Sequence, residues 1–199
     1  ESIRKIKEET NIEVCFSFGL LKEEQLRKVR EAGATRAHCN LETSRRYFPE
    51  ICTTHTYDQK IETLKAAMAA GLSICSGIMG LGETLEDRVD MVLTAKELGV
   101  KSVPVNFLNP IPGTPYEDNK PLTDEEARQC VAVFRFIIPD ASIRLAGGRG
   151  LLDDKGKECF QSGANAAISG DMLTTAGITV QKDMEMLKDL GYKPQLWED

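Results

Sequence analysis

One short pattern recurs along the chain and limits what it can fold into. Glu31-Ala32-Gly33-Ala34, Ala70-Gly71-Leu72, Leu98-Gly99-Val100, Ser162-Gly163-Ala164 and Leu190-Gly191-Tyr192 each set a glycine just past an amphipathic stretch. A helix that ends in a left-handed residue takes glycine there, because no Cβ opposes the turn. Four of the five are followed by a short apolar run that reads as a buried strand. The strands predicted in this way are 12–18, 35–42, 73–79, 102–108, 142–147 and 165–169. Helices with apolar faces lie between them: Ile61, Leu64 and Met68 on one, Ala127, Val131, Phe134 and Ile138 on another, Val180, Met184 and Leu187 on the last. A further helix near 2–9 leads into the first strand. Thr84-x-x-Asp87 and Thr123-x-x-Glu126 have the form of N-terminal capping boxes.

Strands alternating with helices imply a parallel sheet joined by right-handed crossovers. The expected fold is α/β: an incomplete (β/α)₈ barrel of the TIM type, one domain over 1–199 with six units, its remaining N-terminal units lying outside this sequence. Six strands left open would expose two long edges. A doubly wound sheet stays open as the rival. It would need a glycine-rich phosphate loop after the first strand, and Ser17-Phe18-Gly19-Leu20 is not one. At 199 residues with a net charge of -6, the chain suits a sizeable core and argues against a nucleic-acid partner. It has no apolar run of membrane-spanning length. Six cysteines without a CxxC pair, and no secretion signal, fit a reducing cytoplasm.

Barrel enzymes keep their chemistry at the C-terminal strand ends. The residues at those positions are Cys15, then His38, Cys39, Asn40 and Glu42, then Cys75 with the loop Ser76–Glu83, then Asn106, Arg144, Asp171 and Thr174-Thr175. A barrel interior built for stability alone favours Val, Ile and Leu, since unsatisfied polar groups are costly there. Two thiols and a guanidinium pointing at one axis suit a thiolate metallocentre better than zinc. Cys130 and Cys159, on apolar helix faces, read as core filler. Trp197 reads as a packing residue, and the proline-rich loop 109–115 as a stiff linker or a lid.

The motifs His38-Cys39-Asn40-Leu41-Glu42-Thr43-Ser44, Thr53-Thr54-His55-Thr56-Tyr57, Cys75-Ser76-Gly77-Ile78-Met79-Gly80-Leu81-Gly82-Glu83-Thr84, Ser102–Leu108, Pro112–Pro115, Arg144–Arg149, Gly163-Ala164-Asn165 and Leu173-Thr174-Thr175 resemble, in order and spacing, the biotin synthase family of radical S-adenosylmethionine (SAM) enzymes. The resemblance implies sulfur insertion into dethiobiotin. It implies SAM as cofactor, a [4Fe–4S] cluster whose Cys-x-x-x-Cys-x-x-Cys loop is not in this sequence, and an auxiliary iron–sulfur cluster, [2Fe–2S] or a variant. Cys15, Cys75 and Arg144 would hold the auxiliary cluster. Asn40, Glu42, Ile78, Met79 and Gly80 would bind SAM. His38, Asn106, Thr174 and Thr175 would meet the substrate. An electron donor such as flavodoxin or ferredoxin and a homodimer are further expectations, and no classical acid or base is assigned. The family pattern has Asn where His38 stands, often Arg at His55 and often Asp at Glu42. Cys39 and Cys52 are extra thiols, either inert or marks of a different auxiliary cluster. Two other readings remain: a related radical SAM barrel such as a hydrogenase maturase or a methylornithine synthase, and a non-catalytic barrel fragment that acts as a binding module.

Overall fold

The computed structural model describes residues 1–77, 80–171 and 177–195. Its elements run α1 (Ser2–Glu9), β1 (Val14–Phe16), α2 (Glu23–Glu31), β2 (Ala34–His38), α3 (Phe48–Ile51), α4 (Tyr57–Ala69), β3 (Ser73–Cys75), α5 (Leu85–Glu97), β4 (Ser102–Val105), α6 (Asp124–Ile137), β5 (Ser142–Leu145), a 3₁₀ turn (Arg149–Leu151), α7 (Lys157–Gln161), β6 (Ala166–Ala167) and α8 (Val180–Asp189). The six strands form one sheet in the order β1-β2-β3-β4-β5-β6, and every neighbouring pair is parallel. This is the half-barrel that the strand–helix alternation predicts. The glycines of the recurring pattern, such as Gly71 and Gly99, take positive φ. Both capping boxes form, with Thr84 and Asp87 heading α5 and Thr123 and Glu126 heading α6.

The core lies between the sheet's outer face and the helices. Leu26, Leu64, Met91, Val103, Phe134 and Ile143 are buried within it. Alternation along each strand sends the polar residues to the other face. On β2, Ala37 is buried while Arg36 and His38 are partly open; on β5, Ile143 and Leu145 are buried while Arg144 is partly open.

Two sequence expectations need correcting. Met68 does not share the buried face of α4; it is 38% exposed, and Ala67 and Thr63 take the inner positions beside Leu64. In a helix rich in alanine, small side chains on several sides leave the apolar face poorly defined by sequence. On α8, Val180 is 60% and Met184 47% exposed. With Leu187, Phe160 and Tyr192 they line a groove of about 380 Å³ beside β6. A buried ion pair, Arg149 Nη2 to Asp183 Oδ2 at 2.6 Å, fastens α8 to the end of the sheet.

The strands are also shorter than predicted, and β3 shows why. It pairs with β4 at one position only, Cys75 with Ser102. Ser76 N–H donates to Ser102 O (3.3 Å), so the next β4 residue facing β3 is Pro104. Proline has no N–H to continue the ladder. The chain leaves the sheet at Gly77, where an added Cβ would stand 1.9 Å from Pro104 O. Residues 80–84 then run as loop to the start of α5.

Candidate functional site

Sheet register gathers the polar residues of the inner face into rows. Cys15 lies beside Arg36, and Arg36 beside Ser73; His38 lies beside Cys75, and Cys75 beside Ser102. Pro104 lies beside Arg144. Partnered residues in a parallel sheet point the same way, so Cys15, His38, Cys75 and Arg144 share one face. Arg144 Nη2 donates to Cys75 Sγ at 3.1 Å, and His38 Nδ1 is 3.4 Å from the same sulfur. Cys75 is wholly buried, and Arg144 Nε is buried with no partner. Burial and the Arg144 cation push the His38 imidazole below its ordinary value, with a smaller push from Lys60. Cys15 is exposed on the short strand β1. The face thus brings Cys75, Arg144 and His38 into contact, with Cys15 on the same side two strands away.

The loop after β2 is laced to the loop after β3. Cys39 N–H donates to Cys75 O (3.1 Å), Leu41 N–H to Ser76 Oγ (2.9 Å), and Glu42 N–H to Gly77 O (3.2 Å). In return, Gly77 N–H donates to Asn40 Oδ1 (3.0 Å). Glu42 takes φ 68°, the left-handed region, which a non-glycine residue enters at a cost. Its Oε2 is buried with no partner. Burial raises its carboxyl above the ordinary value, partly offset by the Lys60 cation and by a hydrogen bond with Asn40. Asn40 and Glu42 wall a polar cavity of about 140 Å³ together with His38, Cys39, His55 and Lys60.

Asn106 repeats the Asn40 arrangement two strands on. It follows β4, and its Oδ1 accepts from Gly147 N–H (3.0 Å) at the end of β5. One lone pair of its amide is thereby used, and its NH₂ remains the donor. Neither Asn106 nor Gly80 is among the cavity's walls; Gly80 packs on Leu122 instead. Ile78, Met79, Thr174, Thr175 and Trp197 lie outside the described residues.

The extra thiols divide. Cys39 is buried, and burial raises its thiol above the ordinary value. Cys52 lies 3.5 Å from Thr54 Oγ1 and from His55 Nδ1. Burial pushes its thiol up, but the Thr54 hydroxyl, backbone bonds from His55 and Thr54, and the Lys60 charge bring it below the ordinary value. Cys130 is core, as read from the sequence, and also receives Arg88 Nη1 at 3.6 Å. Cys159 is core as well; burial and nearby acids push its thiol up to about 12.

Sequence reasoning missed several supports. Asp87 heads α5 and accepts from Thr84 N–H (3.1 Å), Thr84 Oγ1 (2.9 Å), Ser44 Oγ (2.5 Å) and Arg46 Nε (3.0 Å). It pins the segment that carries Glu42 to a helix. Glu83, buried and paired with Arg88 (2.7 Å), accepts from Leu81 N–H (2.6 Å) and fixes the loop after β3. The TxxD box was legible, but its tie to residues 44 and 46 spans some forty positions and leaves no local signal. Sequence reasoning also passed over Lys60 and Arg36, which the structure places beside the site.

Buried thiol, orphaned guanidinium nitrogen and orphaned carboxylate oxygen fit two kinds of group. The first pair suits an anionic, sulfur-bound centre. The carboxylate suits a ligand that presents hydroxyls.

The radical SAM superfamily model matches residues 1–95, and the Biotin and Thiamin Synthesis associated domain model matches 104–193. The chain is 61% identical over 193 residues to biotin synthase 2 of Corynebacterium diphtheriae, covering 96% of this chain and 58% of that one. It is 57% identical over 200 residues to biotin synthase of Brachyspira hyodysenteriae, covering all of this chain and 60% of that one. The chain is similar to these biotin synthases along nearly all of its own length and spans about 60% of theirs. The crystal structure of methylornithine synthase superposes with TM-score 0.81 at 20% identity, covering 98% of this chain and 62% of that one. The FeFe-hydrogenase maturase HydG from Carboxydothermus hydrogenoformans gives 0.81 at 16%, covering 96% and 50%. These two share the fold.

Proposed function

We propose that this chain is the larger part of a biotin synthase, inserting sulfur into dethiobiotin by radical SAM chemistry. The observation that carries the reading is the Cys75–Arg144 contact on the inner face beside the Asn40–Glu42 cavity. Identity of 57–61% with named biotin synthases supports it. So do the two family models, which between them span nearly the whole chain.

The absent groups would supply a carbon-centred radical and a sulfur atom; the protein's part is to hold, orient and exclude water. Glu42 accepts hydroxyl hydrogens, and its unpartnered oxygen suits a ribose diol. Asn40 holds Gly77 in place, and Ile78, Met79 and Gly80 are the further proposed SAM contacts. Lys60 partly offsets the burial that raises the Glu42 carboxyl. Asn106 donates its NH₂ to a substrate carbonyl while Gly147 orients it. Thr174 and Thr175 complete the substrate contacts, with His38 between cavity and thiol. Cys15, Cys75 and Arg144 hold the auxiliary cluster, [2Fe–2S] or a variant; a [4Fe–4S] cluster is bound by cysteines outside this sequence. Further strand–helix units complete the single barrel domain, and a flavodoxin- or ferredoxin-like donor, a homodimer and a cytoplasmic setting complete the proposal.

The test is anaerobic. The full-length gene product, loaded with iron and sulfide, should bind iron for two clusters, cleave SAM and yield biotin. SAM cleavage without biotin from dethiobiotin would move the chain to another radical SAM reaction.

A further inference from the structure

His38 ends β2 in register with Cys75. Its Nδ1 lies 3.4 Å from Cys75 Sγ, the sulfur that Arg144 approaches to 3.1 Å. The approach is set by backbone: Cys39 N–H bonds Cys75 O at 3.1 Å, locking the strand ends at this level. Cys75 has no exposed surface, so bulk water does not compete for its sulfur. The same imidazole walls the cavity of Asn40 and Glu42. One side chain therefore touches both the thiol and the cofactor cavity. No ionic requirement demands it, because Arg144 already supplies a cation to that sulfur.

We propose that His38 is a positioning and tuning residue for Cys75, donating Nδ1–H to its sulfur and raising the reduction potential of the cluster bound there. The proposal rests on Cys75 being a cluster ligand. A thiolate sulfur only accepts, so the ring proton must sit on Nδ1. Toward the cavity the neutral ring then offers only an acceptor. A hydrogen bond to a ligating sulfur draws charge from it and favours the reduced, more negative cluster. Arg144 acts through full charge and His38 through a directed bond, so their effects are separable by substitution.

The experiment uses the full-length gene product, anaerobically loaded, as wild type, His38→Asn and His38→Leu. Iron and sulfide per chain are measured first, then the auxiliary cluster is titrated redox-wise by its visible absorption. At equal iron content His38→Leu should titrate at a more negative potential. His38→Asn, whose amide can donate from the same strand position, should lie nearer the wild type. Loss of the second cluster from His38→Leu with its retention in His38→Asn also supports the proposal. Equal potentials in wild type and His38→Leu overturn it while leaving Cys75 a ligand. Loss of the cluster from both variants overturns it in favour of a ligating or structural role. Wild type that holds iron for one cluster only overturns the two-cluster reading and this inference together.

Discussion

Glu42 carries three costs at once: a left-handed backbone, a buried carboxylate and an oxygen with no partner. Each opposes folding, and together they mark a residue kept for a ligand. Two outcomes are expected for substitutions here. The Glu42 carboxyl is raised above the unfolded value by burial, so the folded state holds the proton more tightly. The favourable contribution is complete below the unfolded value and is lost as pH rises through the folded one. The neutral amide of Glu42→Gln escapes that loss. Thermal melts of the cofactor-free chain should show Glu42→Gln gaining on the wild type from acid pH toward neutrality; identical pH profiles would contradict the buried-carboxylate account. In the full-length protein, Glu42→Ala should weaken SAM by about 1.5–3 kcal/mol for a lost charge-assisted bond. That is roughly 10- to 150-fold in Kd by titration calorimetry. The carboxylate was legible in the sequence as part of a motif. Its strain was not, since it goes with bonds to Gly77 after the next strand, and nor was the Lys60 charge that reaches the cavity from α4.

At the scale of elements, the sequence showed six strands and both capping boxes because glycine turns and TxxD or TxxE spacing are local signals. It overran each strand. Apolar residues continue past the ladder, and only contacts between strands decide where pairing stops. Pro104 is the decisive case: it sits in β4 but ends the ladder on β3 and lets Gly77 close in. Gly77→Ala should therefore cost about 3 kcal/mol or more, because the clash is with backbone and cannot be relieved by a rotamer. Urea denaturation would measure it, and a near-neutral result would refute the close approach. Asp87 is the second device. Burial raises its carboxyl, but Arg46, Ser44 and Thr84 together hold it well below the ordinary range. Arg46 is 65% exposed, so its charge counts for little; the bonds from Ser44 and Thr84 carry the effect. Asp87→Ala should lower stability by about 1–3 kcal/mol at neutral pH. A depressed carboxyl contributes above its unfolded value, near 3.8, and the contribution is lost as pH falls through the folded value. The gap between wild type and Asp87→Ala should accordingly stay constant from neutrality to about pH 5 and close only in stronger acid. A gap that closes already at about pH 6 would rule out the Asp87 clamp.

Across the whole molecule, the sheet separates two tasks. The inner face of the strands holds Cys75, Arg144 and His38, while the loops after β2 and β3 hold Asn40 and Glu42. Among the described residues these regions meet at His38 and at the Cys39 N–H bond to Cys75 O, and otherwise rest on different supports: strand register for the first, Asp87, Glu83 and Gly77 for the second. The type of residue at each place was legible in the sequence, because polar groups stand out at barrel strand ends. The resemblance grouped Cys75 with Arg144, which touch; that His38 joins them was not legible, because contact depends on register between distant segments. The separation makes a prediction about the complete protein. Cys75→Ala removes a small buried side chain from a strand whose neighbours Ile74 and Ser76 keep their own bonds and packing, so the cavity that holds Glu42 should survive. It also removes one of the proposed ligands of the auxiliary cluster, which should release the cluster rather than unfold the barrel. The variant should lose the auxiliary cluster's absorption and biotin formation, yet still bind SAM with near wild-type Kd and cleave it measurably. Biotin formation at the wild-type rate would remove Cys75 from the site. Loss of SAM binding along with the cluster would show instead that the inner face and the loops form one cooperative unit, against the independence that their separate supports imply.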